Sequence, residues 1–100
     1  MTKDRELYID KIKKDLEELS GQLAEVEVIA PNIKYDVREA MKKQALQLSS
    51  LVDEAKQRLS DAQSVSDDVW PEMRNNLEFT DKALKNSVDF FFRRVQKNMN

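Results

Sequence analysis

The 100-residue sequence contains no cysteine and no histidine, a single glycine and only two prolines. Without cysteine the chain cannot form a disulfide framework or a thiolate nucleophile, and nothing indicates an oxidising compartment. Without histidine it has neither an imidazole base nor the commonest zinc ligand, and it has no glycine-rich loop to bind phosphate. We therefore expect a protein that is not an enzyme, binds no metal and uses no cofactor.

Glycine and proline also interrupt helices, so their scarcity favours long helices over a loop-rich or all-β domain. The predicted fold class is all-α. No segment approaches the ~20 apolar residues of a membrane span, and the charged N-terminal residues lack the apolar core of a signal peptide. The net charge is −2 with acidic and basic residues intermingled, which argues against a nucleic-acid partner. These features favour a cytoplasmic protein.

What the sequence does contain is a heptad seam, a series of apolar residues at alternating spacings of three and four. Such a seam is the apolar stripe of a helix that pairs with another helix. Because an elongated helical chain buries little of its own surface, we expect the stripe to pair between chains and the protein to be a homo-oligomer. The predicted oligomer or partner interface is Ile9, Ile12, Leu16, Leu19, Leu23, Val26, Ile33 and Val37.

Pro31 interrupts this seam, and two interpretations compete. A proline inside a helix removes a hydrogen bond and clashes with the preceding turn, which costs about 3 kcal/mol unless the helix kinks or ends. Because the apolar phase continues from Val26 to Ile33, we favour a kinked helix over residues 1–63. The alternative is a corner at which Asn32 caps a new helix. A corner would give three segments of similar length and a compact three-helix bundle.

Two irregularities modify the helix without ending it. Gly21 lies in phase with the seam, so we interpret it as a tolerated weak position that costs about 1 kcal/mol relative to alanine. Beyond Val37 the steps to Met41 and to Ala45 are both of four residues, a stutter that locally unwinds a coiled coil. The apolar positions after Val37, which we call the stutter positions, are Met41, Ala45, Leu48, Val52, Ala55, Leu59 and Ala62.

The strongest boundary is Ser-Val-Ser-Asp-Asp at residues 64–68, since serine and aspartate side chains favour caps and turns. With Asp68 as the N-cap, an amphipathic, aromatic-rich helix occupies 69–100 and Pro71 falls harmlessly in its first turn. We predict one helical domain over 1–100, arranged as a helical hairpin or an oligomeric bundle. The apolar stripe of the last helix is Trp70, Met73, Leu77, Thr80, Leu84, Val88, Phe91 and Val95, widened by Phe79 and Phe92.

The segment Phe-Phe-Phe-Arg-Arg is the most distinctive local signal. Three consecutive phenylalanines cover more of a helix than one partner helix requires, and aromatic residues beside arginine are typical of a helix lying in an anionic membrane interface. They are also typical of a wide core or protein interface that ends in basic residues, which is the interpretation we favour. The residues predicted to contact a protein partner or a peripheral membrane surface are Trp70, Phe90, Phe91, Phe92, Arg93 and Arg94.

The chain resembles the short stand-alone bacterial coiled-coil proteins of uncharacterised function. The resemblance rests on the charged heptads, on Tyr35, and on the segment 66–70 with Trp70 opening the final helix, and it extends over most of the chain. Pro31 and Pro71 depart from the uninterrupted helix of that family. The resemblance implies no catalytic residues.

Three hypotheses for function follow. The first is a non-enzymatic coiled-coil interaction or structural protein that self-associates and bridges a larger assembly. The second is a peripheral amphipathic-helix protein that binds an anionic membrane or another hydrophobic surface. The third is a small antitoxin-like or chaperone-like partner protein that folds on its target.

Overall fold

A computed structural model describes residues 2–100, with side chains from residue 4 onward. It contains three α-helices of 28 residues each: α1 over Thr2–Ile29, α2 over Tyr35–Ala62 and α3 over Trp70–Lys97. The helices contact one another in all three pairings, and the bundle measures 51 × 17 × 17 Å. The all-α prediction is therefore confirmed, as an extended three-helix arrangement.

The kink predicted at Pro31 is wrong, because the helix ends there. Helix α1 stops at Ile29, a 3₁₀ turn follows over Ala30–Asn32, and Ile33 is extended, with φ −84° and ψ 141°. Proline cannot supply the N–H that a continuing helix needs, and the extended residue beyond it reverses the chain. The continuous helix over 1–63 is thus replaced by two helices, as in the alternative with a corner. Asn32 does not cap the second one, because Lys34 stands at the N-cap without a side-chain cap bond.

Arg38 stabilises this corner from the first turns of α2. Its Nη2 donates to the carbonyl oxygens of Ile33 at 3.0 Å and Pro31 at 3.2 Å, and its Nε donates to Ile33 at 3.3 Å. The guanidinium also lies 5.7 Å from the ring centroid of Tyr35. One cation therefore pairs carbonyl groups that the interrupted helix leaves without helical donors.

The last residues of the chain close the same corner. The Lys34 backbone N–H donates to the Asn98 carbonyl at 2.7 Å, and the Asn100 N–H donates to the Asn32 carbonyl at 2.8 Å. The end of α3 is thereby tied to the turn between α1 and α2. Consequently α2 runs antiparallel to both neighbours, and α1 and α3 run parallel.

The boundary predicted at residues 64–68 is confirmed, since the loop between α2 and α3 occupies 63–69. Val69, not Asp68, is the N-cap of α3, and it has no side-chain cap bond. The Trp70 N–H instead donates to the Ser66 carbonyl at 3.0 Å. At the start of α3, a backbone carbonyl therefore accepts the hydrogen bond that was expected to go to an aspartate side chain.

The heptad seam and the stutter meet in a single core. Every seam residue proposed as an oligomer interface is buried within one chain except Val37, which is half-buried against the core. All seven stutter positions are buried as well. The interface predicted for the seam is corrected accordingly: α2 and α3 of the same chain already cover it, because the corner folds the long arm back on itself.

Adjacent phenylalanines in α3 provide a test of this packing. Phe91 is fully buried whereas Phe90 is 64% exposed. We expect Phe91→Ala to lower the free energy of unfolding by about 3–5 kcal/mol, because it leaves a cavity in the core. Phe90→Ala should change it by less than about 0.5 kcal/mol. Urea denaturation followed by circular dichroism measures both, and equal effects would contradict this orientation of α3.

Gly21 offers a second test. It lies within α1, and a Cβ added to it meets no atom within 4 Å. We expect Gly21→Ala to stabilise the protein by about 0.5–1 kcal/mol, because alanine restricts the unfolded chain and favours the helix. A thermal melt that shows a lower Tm for the variant would mean that α1 is not regular at this point.

Candidate functional site

Trp70 belongs to a packed cluster at the end of the bundle where α1 and α3 begin. Its ring meets that of Tyr8 edge-on, with centroids 6.0 Å apart, and the Arg5 guanidinium lies 4.8 Å from the Trp70 centroid. Arg5 also donates to the Val65 carbonyl at 2.8 Å and forms an ion pair with Asp67 at 2.8 Å. The structure therefore places Trp70 as a half-buried anchor of the interhelical loop, away from the other residues predicted with it.

Residues 90–94 do not form the single surface that was predicted. Phe91 is fully buried, and half-buried Phe92 packs edge-on against it with centroids 5.2 Å apart. Arg93 forms an ion pair with Asp89 at 3.0 Å, whereas Arg94 points toward α2 and donates to Gln44 at 3.1 Å. Successive residues of a helix point about 100° apart, so five consecutive side chains cannot share one face.

Phe90 instead aligns with Phe79. The two phenylalanines are exposed by 64% and 77%, and eleven residues separate them, which is close to three full turns of helix. The prediction that Phe79 widens the core face is therefore wrong. Around these two rings we define the outer stripe of α3, eight exposed residues at heptad spacing: Glu72, Asn76, Phe79, Ala83, Asn86, Phe90, Arg93 and Lys97.

The outer stripe lies opposite the core. The buried residues of α3 are Leu77, Asp81, Leu84, Val88, Phe91 and Val95. At 100° per residue, the mean direction of this buried set is about 150° from that of the outer stripe. Helix α3 therefore has two heptad stripes, of which the bundle covers only one.

Other exposed apolar side chains are more dispersed. Leu7 and Val28 lie near opposite ends of α1, and Tyr35, Leu46 and Leu51 are distributed along α2. Isolated exposed apolar residues are ordinary features of a protein surface. Phe79 and Phe90 differ from these dispersed residues, because the two aromatic side chains are aligned on one face of one helix.

The most polar part of the core lies between α1 and α3. Asp81 occupies a core position of α3 and is only 5% exposed. Lys85 Nζ lies 2.8 Å from Asp15 Oδ2 and 3.3 Å from Asp81 Oδ2, so one ammonium bridges two carboxyl groups. The Oδ1 atom of Asp81 is buried and meets no hydrogen-bond donor of the described residues.

The two carboxyl groups respond differently to this arrangement. Burial raises the pKa of Asp81, and its hydrogen bond with Asp15 raises it further. Burial also opposes ionisation of Asp15, but the hydrogen bonds from Lys85 and Asp81 outweigh it and lower the pKa of Asp15. Protonated Asp81 can donate to ionised Asp15. Through Lys85, the arrangement joins Asp15 of α1 to Asp81 of α3.

Within residues 2–100, no helix is long and apolar enough to cross a membrane. The same part of the chain brings together no set of three or more acidic side chains suited to hold a metal ion.

The two features that sequence reasoning missed have recognisable signals. Asp81 is four residues after Leu77 and three before Leu84, which places a carboxylate in the apolar stripe. Phe79 and Phe90 stand at positions that cannot share a face with Leu77 and Phe91, so a second stripe was visible in the spacing.

Comparison with protein-family models, curated proteins and solved structures finds no significant match to this chain. The resemblance to short bacterial coiled-coil proteins accordingly stays a prediction.

The carboxyl groups of Asp81 and Asp15 generate a pH prediction. Because the pKa of Asp81 is raised above its ordinary value of 3.8, its favourable contribution is present below that value and is lost as pH rises through the raised pKa. Asp81→Asn keeps the shape of the protonated form. We expect the variant to be more stable than the wild type at neutral pH, by about 1 kcal/mol or several degrees in Tm. The difference should shrink in acid.

Asp15→Asn is the matched control, because the pKa of Asp15 is lowered and its ionised form is the favoured one. We expect this substitution to lower Tm at neutral pH and to have less effect in acid. Thermal melts of both variants at several pH values measure the difference. Equal and parallel losses for both variants would contradict the assigned proton positions.

Proposed function

We propose that the protein is a non-enzymatic interaction protein that self-associates through the outer stripe of α3 and serves as a structural element of a larger assembly. The observation that carries this proposal is the exposure of Phe79 and Phe90, 77% and 64%, on one face of a helix whose opposite face is buried. Exposed aromatic residues contribute unusually strongly to association when a partner covers them.

The proposal differs from a seam-driven coiled coil. The long heptad seam is buried within the chain, so opening the bundle would be required before it could pair with another molecule. The outer stripe needs no rearrangement, since its eight residues are exposed while the core stays closed. A partner can therefore dock on the folded bundle.

The outer stripe is also more typical of a protein interface than of a membrane anchor. Phe79 and Phe90 are interspersed with the neutral polar residues Asn76 and Asn86, and the acidic Glu72 and Asp89 lie on or beside the stripe. A helix in an anionic membrane interface instead carries a continuous apolar face bordered mainly by lysine and arginine.

Sedimentation equilibrium over a range of concentrations tests self-association. We expect the wild type to show a reversible increase in mass with concentration. The variant Phe79→Lys/Phe90→Lys should weaken association by at least about 100-fold, because it places charges where two aromatic anchors would be buried. Its helicity should be retained, as should its Tm at concentrations where the wild type is monomeric, since both residues are exposed.

Val28→Lys/Leu46→Lys is the matched control, because it adds the same charge at two other exposed apolar residues, 70% and 67% accessible. This variant should associate like the wild type. A wild type that stays monomeric at every concentration would contradict the proposal. Flotation of that monomer with anionic vesicles, lost in the phenylalanine variant, would favour the peripheral membrane alternative instead.

A further inference from the structure

We infer that the occupant of the outer stripe is a second copy of this chain, bound antiparallel along α3, with Phe79 of each copy opposite Phe90 of the other. This inference rests on the proposed self-association and specifies its geometry. It is carried by the exposed heptad residues of α3 and by the order of their charges.

The outer stripe is self-complementary under a two-fold rotation. If the two-fold axis lies at the level of α3 midway between Leu84 and Lys85, Phe79 faces Phe90 of the second copy and Ala83 faces Asn86 of the second copy. The same axis brings Asn76 opposite Arg93 and Glu72 opposite Lys97. Every layer of the stripe therefore has a counterpart in one register, as an isologous dimer requires.

Charge selects the antiparallel direction. In the antiparallel register, Glu72 meets Lys97 of the second copy at both ends of the interface. A parallel dimer would place like charges together at Glu72, Arg93 and Lys97. Since like-charge juxtaposition disfavours a wrong pairing, the parallel alternative is the less compatible one.

The border of the stripe has the same complementarity. Lys82 and Asp89 lie on the flank of the stripe that faces away from α2. In the antiparallel dimer, Lys82 of one copy lies beside Asp89 of the second copy. Both side chains are well exposed, 72% and 64%, and they form ion pairs with Glu78 and Arg93 of their own helix, at 3.5 Å and 3.0 Å. These surface pairs are weak enough to rearrange on association.

Shape allows the two helices to approach. Ala83 is the small residue nearest the centre, so the helix backbones can come close there while the phenylalanines fill the spaces on either side. From Glu72 to Lys97 the stripe is about 38 Å long and about 10 Å wide, which gives roughly 800 Å² buried in total. An interface of that size suits a dimer that dissociates on dilution.

The absence of cysteine permits a clean test of the register. Asn76→Cys and Arg93→Cys proteins are mixed and treated with a short thiol-to-thiol crosslinker, and mass spectrometry identifies the products. We expect the mixed 76–93 product to predominate. In the antiparallel dimer two copies of position 76 lie about 26 Å apart, too far for the reagent. Each variant alone should therefore give little product.

Ser50→Cys, on the exposed surface of α2, measures crosslinking by random collision. Adding Phe79→Lys/Phe90→Lys to the mixed pair should reduce the 76–93 product to that level. Predominant 76–76 and 93–93 products would overturn the antiparallel register while leaving self-association intact. If sedimentation shows a dimer but crosslinking stays at the collision level, the interface lies on another surface and the inference is wrong. A monomer at all concentrations would overturn the proposed function as well.

Discussion

The break in the helix at Pro31 is the constraint on which the rest of this structure depends. Because the chain turns there, α1 and α2 lie side by side, and α3 completes a bundle of three helices of equal length. Arg38 and the backbone of residues 98–100 pair the polar groups at the corner, so hydrogen bonds connect the turn to the end of α3. A helix continuing through Pro31 would leave its seam uncovered and in need of another chain.

Once the corner folds the chain, the apolar residues acquire different roles. Most seam residues of α1 and the stutter positions of α2 are buried in the core, and one face of α3 joins them. The opposite face of α3 retains two exposed phenylalanines, which is why the surface of interest lies on the last helix and not on the longer seam. Apolar area left exposed after a core is complete is the kind of surface that another molecule covers.

The polar contact among Asp15, Asp81 and Lys85 complements this packing. An apolar stripe alone tolerates sliding of parallel helices by a turn, whereas Lys85 of α3 reaches Asp15 of α1 in one alignment. The arrangement thus helps to set the position of α3 on α1, and with it the orientation of the outer stripe. The spacing of four residues between Asp81 and Lys85 predicts a surface ion pair, but the heptad position of Asp81 buries its carboxyl group while Lys85 stays exposed.

The sequence by itself determined the helical class, the boundary after residue 63, and nearly every core position, because these depend on local propensity and on the 3.6-residue period. Whether Pro31 kinks or turns the chain depends on contacts with Asn98 and Asn100, nearly seventy residues away, and only the tertiary structure decided it. The same holds for the candidate site. Spacing shows that Phe79 and Phe90 share a face, but only packing of α1 and α2 against the other face shows that theirs stays exposed.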